Sequence, residues 1–223
     1  MTGSGAAARA VIVSGAGRYA DPWHPFAETS ARLAELLGEA GIAAEVDDDV
    51  DARLADPGDV DLLVVNIGNP GDTAPADEAA RRGLLGHLER GGGLLAVHAA
   101  ATSLPGVPEW EAILGGIWVR GTTHHPPYGP AQIHLCDDQH PITAGLRDFE
   151  LADERYTAMR VSGEVRVLAD HELEDDRSRH PLLWTHRYGP ARIVYDALGH
   201  DAASYDSAEH REIVRRAARW LTA

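Results

Sequence analysis

The chain has 223 residues, 44% of them hydrophobic and 25% charged, with a formal net charge of −15. That length and composition suit a soluble globular protein with one sizeable core, and the charge excludes a nucleic-acid partner, which needs a basic face. The single cysteine, Cys136, excludes an internal disulfide. The start "MTGSGAAARA" has neither the basic end nor the apolar core of a signal peptide, and no run approaches the roughly 20 apolar residues of a membrane span, so the expected location is cytoplasmic with no membrane partner.

The first half alternates strand and helix signals. "RAVIVSG" (9–15) reads as a buried strand that ends in glycine, and the loop "AGRYADPWHP" leads to a helix over about 26–40. Phe26, Ser30, Leu33 and Leu37 share one face of that helix, with Leu36 and Ala40 beside it, and Gly41 stops it. "IAAEV" (42–46) and "VDLLVVNIG" (60–68) are the next strands, with an acidic, solvated stretch between them. A helix over about 75–90 follows, capped by Asp72 or Thr73, with Pro75 in its first turn and Gly91 just past its end. "GLLAVHA" (93–99) is the fourth strand.

Strands apolar on both faces, separated by amphipathic helices, predict a doubly wound, mostly parallel α/β sheet with helices on both sides. Ligands of such sheets bind outside the carboxyl ends of the strands. The loops after Ser14, Asn66 and Val97 should therefore share one crevice. The second half is β-rich. Strands are expected at 131–136, 165–172, 180–187 and 191–199, the last two joined as a hairpin by "RYGPAR". A final helix runs over about 208–221, with Ser207 as its cap and Ile213, Val214, Ala217 and Leu221 buried.

Twelve histidines make the assignment of roles selective. His87 is expected at a helix surface, His134 and His171 on strands facing water, and His180 and His210 at element starts, all structural; His140 in "HPITAGL" reads as a turn residue. His98 and His200 differ, because "LLAVH" and "IVYDALGH" each deliver an imidazole to the end of a hydrophobic strand. Imidazole suits both acid–base work and metal ligation. His24, Arg18 and Tyr19 lie in the loop after the first strand and can reach the same crevice. His124 and His125 lie in the irregular "RGTTHHPPYGP", a segment long enough to wall a site. Glu154 in "ADERY" is a candidate acid or base, with Tyr156 on the same side of an extended segment. Three such histidines and a glutamate could bind zinc or another divalent ion, although no HExxH is present. No G-x-S-x-G elbow or dinucleotide fingerprint occurs.

"GGGLLAVHAA", the paired glycines 115–116 followed by Trp118, "HPITAGL", "DERY" and "HPLLWTHRYGPARIVYDALGHD" occur in that order. Together they resemble the ThuA-like (trehalose utilisation) family along nearly the whole chain, as one domain over 1–223. The resemblance implies a class I glutamine amidotransferase-like fold, a flavodoxin-like variant of the doubly wound sheet. It also implies work on trehalose or related sugars, including 3-keto disaccharides. In amidotransferases the equivalent of "VHAAA" is an elbow that presents a nucleophilic cysteine. Here the elbow carries His98, and Cys136 lies in another strand, so glutamine hydrolysis by a thiolate is not expected. The family's histidine-proline after the glycines falls on either His124 or His125.

The resulting expectation is an enzyme acting on a glycoside or keto-sugar by hydrolysis, elimination or isomerisation. His98, His200 and Glu154 are its catalytic candidates. Arg18, Tyr19, Asn66, Trp118, His124 and Tyr156 are candidates for substrate binding. His24, His98 and His200 are candidate ligands for one zinc or manganese ion. The alternative is a non-catalytic carbohydrate-binding or regulatory module on the same scaffold. The aromatic segment around Trp118 and Tyr128 suggests a homodimer face.

Overall fold

The computed structural model describes residues 7–71 and 78–223; the expected helix cap at Asp72 or Thr73, and Pro75, lie outside the described residues. The first half contains β1 (Arg9–Ser14), α1 (Phe26–Glu39), β2 (Ala43–Asp47), α2 (Val50–Ala55), β3 (Leu62–Asn66), α3 (Glu78–Glu89) and β4 (Gly93–Val97). The second contains α4 (Trp110–Leu114), β5 (Gly116–Ile117), β6 (Gly129–Leu135), β7 (Phe149–Asp153), β8 (Arg160–Val161), β9 (Arg166–Glu172), β10 (Arg179–Tyr188), β11 (Ala191–Asp196) and α5 (Ala208–Leu221). Nine strands form one sheet in the order β2-β1-β3-β4-β11-β10-β9-β6-β7. β2 through β11 are parallel neighbours, and the pairings from β11 onward are antiparallel.

Burial follows position in the sheet. β3 and β4 are buried at every residue, because helices cover both faces: α1 packs with α5, and α2 with α3. β2 departs from the continuous apolar pattern. It is the outer edge, largely exposed, and its Glu45 and Asp47 pair with Arg53, the charged finish that keeps an edge from pairing with another chain. The β10–β11 hairpin forms as expected. Ser207 caps α5 by accepting the His210 amide, and Ile213, Val214, Ala217 and Leu221 are buried.

Three histidines expected at the surface or as bland element ends are core residues. His87 turns into the space above Gly92 and contacts the Gly93 carbonyl; a Cβ at Gly92 would collide with its ring. His171 is fully buried against Thr157 and the Tyr156 carbonyl, and burial pushes it down to about 4. His210 is fully buried beside Asp196. β7, with its short "FELAD" between charged flanks, and the two-residue β5–β8 ladder were not expected.

Strands β4 and β11 are neighbours in register, Asp196 opposite Val97. The chain leaves both strands at the same end of the sheet, so the residues that follow, His98 and His200, arrive on one crevice. The loops after β1 and β3 join them. Gly68 donates its amide to the Tyr19 carbonyl, and a Cβ on it would sit 2.8 Å from that oxygen and from Asp21. The close approach of these two loops requires glycine at 68.

Candidate metal centre and substrate cavity

His98 sits at φ 46°, in the left-handed region, between β4 and the single turn His98–Thr102. A non-glycine residue held there stores about 1–3 kcal/mol of strain. Three hydrogen bonds hold the turn in place. Tyr195 Oη donates to the His98 carbonyl at 2.9 Å, the Trp110 indole donates to the Ala100 carbonyl at 2.9 Å, and His98 Nδ1–H donates to the Ala197 carbonyl at 2.6 Å. Because a carbonyl only accepts, the last bond fixes the tautomer of the neutral ring, with the proton on Nδ1 and Nε2 turned toward the cluster.

His24 is set the same way from another loop. The Asp21 carboxylate accepts from the backbone amides of Trp23 and His24 and from His24 Nδ1, the last at 2.8 Å, which leaves His24 Nε2 with its lone pair. Burial, then the neighbouring His98, lowers His24 below its ordinary value in spite of Asp21, so the ring is neutral. His200 follows Gly199, which lies at φ 105°, and a Cβ at 199 would meet the Tyr205 hydroxyl at 2.6 Å. The buried Asp153 carboxylate accepts the amides of Gly199 at 2.8 Å and His200 at 3.2 Å, and also the amide of Glu154 at 2.8 Å. One carboxylate therefore ties the exit of β7 to the exit of β11.

The four side chains converge. Ring centroids of His24, His98 and His200 lie 5.1, 4.9 and 5.4 Å apart pairwise. Glu154 Oε2 is 3.4 Å from both His98 Nε2 and His200 Nδ1, too long for a good hydrogen bond. One ligand atom from each of His24, His98, Glu154 and His200 falls within 4.8 Å of all the others. His24 Nε2, His98 Nε2 and His200 Nδ1 are buried with no hydrogen-bond partner. Buried polar atoms are almost always paired, and here three unpaired nitrogens point at one another and at a carboxylate. Burial raises the Glu154 carboxyl, but the adjacent His200 and His98 outweigh it and hold it below its ordinary value. Burial lowers His200, and Glu154 more than reverses that.

This cluster is at the floor of a cavity of about 700 Å³. His24 and Glu154 line the cavity, and His98 and His200 complete the cluster beside them. Thr102 and Asn69 come from the loops after β4 and β3, so the expected sharing of one crevice holds. Trp118, Tyr156, Ile117 and Pro105 form an apolar wall. Tyr156 lies 4.4 Å from the His98 ring and 4.7 Å, edge-on, from Trp118. Burial pushes its phenol well above the ordinary value, so it stays a neutral donor. Trp23, 71% exposed, stands on the rim.

Not every expected site residue is here. Arg18 and Tyr19 both bond Asp51, away from the cavity. Asn66 is buried and donates its amide to Thr29 Oγ1 and Ser30 Oγ, which anchors α1 to β3. His124 is exposed and pairs through its backbone with Thr157. Of the two neighbouring histidines it is His125 that lines the cavity, with Nε2 3.6 Å from Glu154 Oε1. Trp118 faces this cavity, so the expected dimer face keeps Tyr128 as its exposed aromatic. Asp21 and Asp153 also belong to the site, and their only signals in the sequence are local: Asp21 stands three residues before His24, and Asp153 directly before Glu154.

Fold and site together define an α/β protein with a three-histidine, one-carboxylate cluster under an aromatic-walled cavity. The chain belongs to the ThuA family: the family model, described as trehalose utilisation, matches residues 9–221. It is similar to a ThuA-like protein from Parabacteroides merdae (21% identity, TM-score 0.80, covering 97% of this chain and 90% of that one). A ThuA-like protein from Bacteroides uniformis is similar at 19% identity and TM-score 0.75, covering 96% and 91%. A cytoplasmic protein from Salmonella typhimurium LT2 shares the fold at 12% identity and TM-score 0.68, covering 96% and 100%. No curated protein matches the sequence.

Proposed function

We propose that the protein is a metal-dependent, sugar-processing enzyme that acts on a glycoside or keto-sugar of the trehalose type. The observation that carries this reading is the set of three buried, unpartnered imidazole nitrogens aimed at Glu154. The donor set fits a divalent ion such as zinc or manganese: three imidazoles, two of them oriented through their other nitrogen, and one carboxylate. His24, His98, His200 and Glu154 would hold the ion, which when bound would supply Lewis-acid polarisation of a substrate oxygen.

The remaining roles belong to the chain's own groups. Trp118, Tyr156 and Trp23 offer flat apolar surfaces to the C–H faces of a sugar ring, and the cavity volume accommodates a disaccharide. The Tyr156 phenol, held neutral, can donate to a substrate oxygen. His125 faces the Glu154 oxygen turned away from His98 and His200, so this pair can take a proton from a substrate hydroxyl or carbon and release it toward solvent. The β2-β1-β3-β4 order is that of flavodoxin-like sheets, which supports an amidotransferase-like scaffold whose elbow carries His98 in place of a thiol. Cys136 lies at the end of β6, bonded to Asp170. A cytoplasmic location belongs to the same reading; among the described residues no helix is long and apolar enough to cross a membrane.

The test is turnover of trehalose and of its 3-keto derivative by chelator-treated protein, with and without added zinc or manganese. Metal-dependent turnover abolished by His98→Ala is the expected result. Saturable sugar binding that survives His98→Ala, with no turnover in any condition, would establish a binding module instead.

A further inference from the structure

The geometry points to a positioning device beneath the site: the buried His210–Asp196 pair fixes the turn 197–200, and through it the orientation of both His98 and His200. This inference rests on the metal-binding reading above. His210 is fully buried in the first turn of α5, where no substrate can reach it. Its Nε2 lies 2.9 Å from Asp196 Oδ2, and its Nδ1 lies 2.9 Å from the Ser204 carbonyl and 3.0 Å from Ser204 Oγ. A carboxylate and a carbonyl both only accept, so an imidazolium, donating from both ring nitrogens, satisfies both, whereas a neutral ring that accepted the Ser204 hydroxyl at Nδ1 would leave the Ser204 carbonyl facing a lone pair at 2.9 Å. The Tyr205 ring stacks on it at 5.1 Å, and the charges that act on it are the carboxylates of Asp196 and Asp153, both of which favour the cation. Burial lowers its affinity for the proton, and Asp196 more than restores it.

Asp196 transmits this to the site. It is the last residue of β11, and its Oδ1 accepts the amide of Leu198 at 3.0 Å. That bond shapes the turn whose first carbonyl, on Ala197, receives His98 Nδ1–H and thereby selects the His98 tautomer. The same turn ends on His200. A buried ion pair is a poor source of stability compared with apolar packing of the same volume. A pair placed directly under the residue that orients one candidate ligand and carries another is better explained by the geometry it imposes.

The test compares wild type with the neutral, still hydrogen-bonding double variant Asp196→Asn/His210→Gln, chosen because removing one partner alone strands a buried charge. Nitrogen-15 NMR of the imidazoles at neutral pH, without metal, should show His210 protonated on both nitrogens in wild type. It should show His98 as the Nδ1–H tautomer in wild type, and as a mixture in the double variant. Zinc titration monitored by calorimetry should give about 10–100-fold weaker binding in the double variant. With loaded enzyme, kcat should fall while KM holds, because the cavity walls are untouched. A folded double variant that keeps the single His98 tautomer and binds zinc within twofold of wild type overturns the inference. If wild type binds no zinc, the metal reading fails by itself, and the His98 tautomer still decides whether the pair positions the turn.

Discussion

Asp153→Asn should destabilise the protein sharply although it changes one oxygen to one nitrogen. The wild-type carboxylate is buried and accepts three backbone amides, from Glu154, Gly199 and His200. An asparagine can keep its oxygen on the Glu154 and His200 side. Its NH₂ then faces the Gly199 amide, donor against donor. The loss is one hydrogen bond to a charged group and two buried donors left unsatisfied, together about 3–5 kcal/mol. For a domain of this size, roughly 2–4 °C per kcal/mol, the melting temperature should fall by roughly 6–20 °C. Calorimetry on chelator-treated protein, which removes any contribution from bound ion, measures this directly. Asp201→Asn is the control: that carboxylate caps an exposed turn by accepting the Ala203 amide, and its loss should cost at most about 1 kcal/mol. If Asp153→Asn melts no lower than Asp201→Asn, the claim that Asp153 fastens the two site-bearing exits is wrong.

Other outcomes follow from the same geometry. The folded-state pKa of His210 is raised above its ordinary value, so the stability it contributes is complete below about pH 6.5 and declines as pH rises through the folded value. The melting-temperature gap between wild type and Asp196→Asn/His210→Gln should therefore narrow with increasing pH, and a gap that widens contradicts the assignment. Burial and Asp170 push Cys136 up to about 12, which leaves roughly one thiol in ten thousand ionised at pH 8. Iodoacetamide should label it far more slowly than free cysteine, and Cys136→Ser should keep full sugar turnover. Trp118→Ala removes one aromatic wall and should raise KM about 2–13-fold, from roughly 0.5–1.5 kcal/mol of stacking, with kcat little changed; an unchanged KM would place the sugar elsewhere in the cavity.

The sequence pattern made the first half of the sheet legible because β1, β3 and β4 are buried on both faces and read as continuous apolar runs. The crevice followed from strand-end logic, and His98, His200 and His24 followed from their positions after those strands; Glu154 was legible only as a carboxylate in "ADERY", because the short β7 that delivers it carries no clear strand pattern. What stayed hidden is tertiary. Nothing local distinguishes His210, in the polar first turn of a helix, from a surface residue; it is buried because Asp196 ends a strand that α5 covers. Asn66 reads as a strand-end site residue, yet its amide goes to Thr29 and Ser30, a pairing that depends on where α1 docks. Arg18 and Tyr19 lie in the expected loop, but the single turn at 17–19 directs them to Asp51 on α2. The choice between His124 and His125 depended on the bridge from His124 to Thr157, a contact across 33 residues that no spacing rule encodes.

Metal content of protein purified without an affinity tag tests most directly whether His24, His98, His200 and Glu154 form a metal centre. Elemental analysis should find close to one equivalent of zinc or manganese per chain in wild type and none in His98→Ala/His200→Ala. Wild-type protein that carries no metal, and that binds neither ion when each is titrated into it, would contradict the account.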